Sequence, residues 1–135
     1  MWKHASARAA GNRCGYCLAR QEHVLQVLEI EHIVPTVRGG SNSDDNLWLA
    51  CRLCNNAKGV KAESRDPTNN RRVRLFNPRT QRWDRHFRWS EDGTRIMGRT
   101  ACGRATIEAL KLNNGIALVV RQNWVNAGWH PQKRH

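Results

Sequence analysis

The chain has 135 residues, enough for one domain with a modest core, and no run of about 18 apolar residues that could span a membrane. Its 23 Lys+Arg against 11 Asp+Glu give a formal charge of +12. A field of that sign gathers polyanions and gains from counterion release, so nucleic acid is the expected partner class and a protein-interaction module the weaker one.

Residues 1–13 are small, basic and without periodicity, and read as an N-terminal arm. They lack the apolar block of a secretion signal, so the expected location is cytoplasmic. In a reducing compartment the five cysteines are not expected to pair as disulfides. Four of them form two knuckles, Cys14-Gly-Tyr-Cys17 and Cys51-Arg-Leu-Cys54. Two C-x₂-C pairs are the spacing that grips one tetrahedral Zn²⁺, and four thiolates on it would bring the folded charge to roughly +10.

After the first knuckle, HVLQVLEIEHIVP alternates apolar and polar residues and reads as a strand or tight hairpin ending at Pro35. TVRGGSNSDD is a loop, and residues 52–63 suit a short helix that Asp66-Pro67 would stop. The stretch 66–85 is dense in arginine, and two strands joined at Asp92-Gly93 follow it. Thr100 can cap a helix over ACGRATIEALKL, with Cys102 in its apolar phase, and a second helix closes at Gly128. Trp83, Phe87 and Trp89 read as strand core, although with His86 and Arg88 they also interleave bases and aromatics.

Glu31-His32 lies between the knuckles, Asp45-Asn46-Leu47 follows the glycine loop, Asn55 follows Cys54, and Lys58-Gly59 closes the run. In that order and spacing, residues 14–59 resemble the HNH endonucleases, whose β-hairpin and helix clasp a divalent metal. The resemblance implies an α+β fold with a treble-clef-like ββα-metal core over 14–65. Residues 66–135 would form a basic C-terminal extension, a hairpin and two helices, packed on that core. It implies a structural zinc on Cys14, Cys17, Cys51 and Cys54. His32 would be the general base that deprotonates water. Asn46 would hold the loop against the strand so that His32 is aimed. Glu31 and Asn55 would hold a catalytic Mg²⁺ or Mn²⁺. Family members more often carry Asp where Glu31 stands. The implied activity is metal-dependent hydrolysis of DNA phosphodiesters by a monomer or homodimer, with RNA left open as substrate.

The chemistry is coherent by itself. Imidazole exchanges protons near neutral pH, and a hard cation with open water positions can offset the oxyanion charge of the transition state. Each residue also has a plainer reading. Glu31 could be a solvated strand charge, Asn55 a helix cap, and Lys58 and Lys61 a solvated helix face instead of phosphate contacts. Arg38 beside the glycines could reach a groove. A zinc-stabilised nucleic-acid-binding module without activity would use the same scaffold. One physical objection stands: neighbours on a regular strand face opposite ways, so Glu31 and His32 reach one site only if the strand is distorted there.

Overall fold

Two short segments, β1 (Glu29–His32, EIEH) and the wholly apolar β2 (Leu47–Ala50, LWLA), come together as an antiparallel pair. A computed structural model describes this arrangement for residues 9–131. Its register sets Glu29 opposite Ala50, Ile30 opposite Leu49, Glu31 opposite Trp48 and His32 opposite Leu47. The chain then turns at the second knuckle into α1 (Arg52–Lys58). The Cys51 sulfur caps this helix by accepting from the Cys54 amide, and Gly59, with φ of +55°, ends it. Strand, strand and helix thus form the ββα unit, and with the cysteine cluster they give the mixed α+β, ββα-metal arrangement.

Two further hairpins follow, β3 (Glu63–Arg65) with β4 (Arg72–Arg74), then β5 (Phe87–Trp89) with β6 (Ile96–Gly98). A short helix, α2 (Trp83–His86), precedes β5; α3 (Ala101–Leu110) and α4 (Gly115–Asn126) close the order. Thr100 and Asn114 cap the last two helices by accepting from the Gly103 and Ala117 amides, as Thr and Asn side chains do at helix starts. The β5–β6 hairpin and the two capped helices lie where the sequence placed them. The β3–β4 hairpin was not foreseen, and Trp83 lies on a helical turn instead of a strand.

One core joins the knuckles to the later elements. Cys14, Tyr16, Cys17 and Cys54 share it with Phe76, Phe87, Ile96, Leu110 and Trp124. Trp83 donates its indole N–H to the Tyr16 carbonyl at 2.8 Å, and Phe76 and Phe87 meet edge to face at 5.1 Å. Asp66, fully buried, accepts two bonds from Arg104 of α3 at 3.0 and 2.8 Å. Those Arg104 bonds hold its carboxyl well below the usual carboxylate range. Residues 9–13 of the expected arm are already part of the fold: Ala10 packs on Leu28 and Leu49, and Arg13 bridges to Arg20. Residues 1–8 of that arm lie outside the described residues. Among the described residues, no helix is long and apolar enough to cross a membrane.

Candidate active site and metal centre

The two knuckles converge. The sulfurs of Cys14, Cys17, Cys51 and Cys54 all lie within 4.8 Å of one another, and Cys17 and Cys51 are 3.7 Å apart. A Zn–S bond of about 2.3 Å in a tetrahedron requires sulfurs roughly 3.8 Å apart, so the quartet fits zinc. Hydrogen bonds from Cys14, Cys17 and Cys54 pull the Cys51 thiol far down towards the thiolate a metal needs. Gly15 leaves room for this convergence, because a Cβ there would stand 2.4 Å from the Trp48 ring and 2.7 Å from Pro78.

His32 ends β1 with its ring half-buried, and its Nε2 lies 2.7 Å from the Asn42 side-chain oxygen in the glycine loop. The loop is pinned by Asn46. Its amide accepts from the Val34 N–H at 2.9 Å and donates to the Val34 carbonyl at 2.9 Å and the Ser41 carbonyl at 2.8 Å. The side chain therefore acts as one extra peptide unit of β2, satisfying both backbone groups of Val34 beyond the end of the ladder. The Asn46 carbonyl accepts from Ile33 at 2.8 Å, so the strand is held on both sides of His32's successor. Gly40 packs so tightly that a Cβ would come within 1.7 Å of the Val34 carbonyl oxygen.

Glu31 points the other way. Its residue is 3% exposed, and both carboxylate oxygens accept from the Tyr16 hydroxyl, at 3.0 and 2.7 Å. Lys58, from the last turn of α1, puts its ammonium 3.3 Å from Glu31 Oε1 and donates to the His32 and Ile33 carbonyls at 2.9 and 3.0 Å. Burial pushes the Glu31 carboxyl up, against the pull of Lys58 and of the Tyr16 hydrogen bond. The strand is regular here, so the alternation rule holds and Glu31 and His32 face apart.

Asn55 sits on the same face of α1 as Lys58, three residues earlier, and donates its amide to Glu29 at 2.8 Å. Two parallel pairs, Asn55 with Glu29 and Lys58 with Glu31, thus join α1 to β1. Among the described residues no hydrogen bond links the side chains of Glu31, His32 and Asn55 to one another. The donors expected for a second ion are hard oxygens, as Mg²⁺ or Mn²⁺ would want. Their placement does not fit, because an ammonium already fills the position an ion would take on Glu31. Lys58 is also corrected as a phosphate contact: at 2% exposure, between a carboxylate and two carbonyls, it does not reach the surface.

Lys61 is exposed and donates to the Ala57 carbonyl, while Arg38 is exposed and ties the loop to the turn after α1 through the Val60 carbonyl at 2.7 Å. Three residues escaped the sequence reading. Tyr16 lies inside the first knuckle, where only the cysteines drew notice, and Glu29 is two residues from Glu31 on the same strand face. Arg121 is buried among the carbonyls of Thr94 and Leu112, 5.4 Å from the Trp89 ring.

Residues 14–61 match the HNH endonuclease family model. That segment, somewhat over a third of the chain, is similar to HNH domains. The match points to a nuclease-type function with metal binding, and the cysteine quartet fits a structural zinc. No curated protein and no solved structure matches the chain.

Proposed function

We propose that this protein is a metal-dependent DNA endonuclease in which His32 takes the proton from the attacking water. The observation that carries the reading is the pinned loop: three hydrogen bonds from one asparagine side chain fix the backbone beside a half-exposed histidine. Such rigidity is what a general base needs, since its nitrogen must be held within hydrogen-bond reach of a bound water. The Asn42 oxygen fixes the ring by accepting from Nε2–H, which leaves Nδ1 as the basic nitrogen. Arg38 and Lys61 stand exposed on the same unit and supply positive charge towards a phosphate.

Phosphodiester hydrolysis also needs charge neutralisation, which a divalent ion supplies when bound. Asn55 has a side-chain oxygen to offer such an ion, whereas Glu31, paired with Lys58, does not. The locked Glu31–Lys58 pair also supports a second reading, a zinc-stabilised nucleic-acid-binding module without activity.

The two readings separate on a supercoiled plasmid incubated with the zinc-loaded protein. The endonuclease produces nicked or linear DNA only when Mg²⁺ or Mn²⁺ is added. Shifted but intact plasmid under every ion, over several DNA substrates, would establish the binding module instead.

A further inference from the structure

A second basic surface lies away from the His32 loop. A cavity of 660 Å³, within the usual size of small-ligand sites, opens between the first knuckle and the segment from α2 through β5. It shares no lining residue with His32, Asn46, Asn55 or Lys58. Trp83, Trp89 and Trp129 line it, and so do Arg13, Arg88 and Arg99.

Its chemistry is unusual in two respects. The aromatic walls are organised: Trp83 and Trp89 lie 5.4 Å apart, and Trp129 stacks on His23 at 4.6 Å with 13° between the rings. Trp129 is nevertheless 51% exposed, so a large, flat apolar surface is left towards solvent at the mouth. The cations are also uncompensated. Arg20 pairs with Glu22 and Arg82 with Asp84, but Arg13, Arg88 and Arg99 have no acidic partner among the described residues. Exposed guanidiniums held beside aromatic faces attract a ligand that is both anionic and planar.

We propose that this cavity binds one unstacked nucleobase of a single-stranded nucleic acid, the base stacking on Trp129 and the flanking phosphates meeting Arg13, Arg88 and Arg99. Acidic peptides satisfy the charge but leave the aromatic face without a planar partner. Duplex DNA satisfies the charge too, but keeps its bases stacked on one another. A single strand satisfies both features, as other aromatic and basic single-strand sites do. Of its lining only Leu18, Arg20 and His23, just after the first knuckle, belong to the HNH-like segment, and its binding does not depend on cleavage.

Anisotropy of a dye-labelled ten-nucleotide thymidine strand tests the proposal, against an abasic sugar-phosphate of equal length, without added divalent ions. The thymidine strand should bind roughly tenfold tighter than the abasic one, and Trp129→Ala should erase that difference. Arg88→Ala with Arg99→Ala should weaken both strands several-fold more than the exposed control pair Arg71→Ala with Arg95→Ala, with melting temperatures checked for every variant. Equal binding of base-bearing and abasic strands would overturn the proposal. So would equal losses from the two arginine pairs, or competition by polyglutamate as effective as that by the strand. A protein that binds the strand this way but never nicks DNA would contradict the endonuclease reading alone.

Discussion

The two faces of β1 differ more than two neighbouring residues usually do. On one face His32 is half-exposed, has one side-chain hydrogen bond and borders a glycine loop. On the other, Glu31 is locked by Tyr16 and Lys58 with almost no exposure. The first face stays partly open to solvent, while the second holds a helix on a strand. Strand alternation makes both possible within two residues, so a motif that reads as one unit in sequence divides into an open part and a buried structural part.

Removing zinc should have the largest effect, because both faces hang from the knuckles. Stripping the ion, or Cys54→Ser, should abolish the cooperative thermal transition seen by circular dichroism, as closed thiolate sites contribute folding energy outright. A zinc-free protein with an unchanged melting curve would show that the knuckles are not a metal centre.

Next comes the locked face. Lys58→Met leaves the Glu31 carboxylate buried without its cation and should cost about 3–5 kcal/mol in denaturant unfolding. The pH dependence has a definite sign. Burial holds the Glu31 carboxyl above its unfolded value, so its contribution is most favourable below the ordinary carboxylate range and is lost as pH rises through the raised value. The Lys58→Met penalty should therefore shrink as pH falls towards that range, where Glu31 takes up a proton. A penalty independent of pH would place the loss in packing rather than charge.

Asn46→Ala should act on the other face. It removes three hydrogen bonds and leaves the Val34 backbone groups without these partners, costing about 1–3 kcal/mol. Its effect on nicking should exceed its effect on folding, since the loop that aims His32 is released. A loss of nicking no larger than the fraction unfolded would make Asn46 a fold residue only. Smallest is Tyr16→Phe, expected at about 1 kcal/mol, because Lys58 still compensates Glu31.

The sequence made the knuckles legible because two C-x₂-C pairs are read from local spacing. It did not show that Lys58 is buried, since a lysine at a helix end ordinarily reaches water. A signal was there: an inward glutamate at Glu31 demands a cation, and Lys58 lies one helical turn beyond Asn55. The β3–β4 hairpin was hidden by its arginines, because Arg72 and Arg74 flank Val73 with charge on the exposed face and leave little apolar pattern. Asp66 and Arg104 are 38 residues apart, and no local pattern announces such a pair.

The central claim is that His32, not its neighbour, does the chemistry. The direct measurement is the nicking rate of His32→Ala on supercoiled plasmid, in the ion that supports the wild type, at matched melting temperature and zinc content. The account predicts a fall of roughly 10²–10⁴-fold, the usual contribution of a general base. A His32→Ala protein that nicks as fast as the wild type would contradict it.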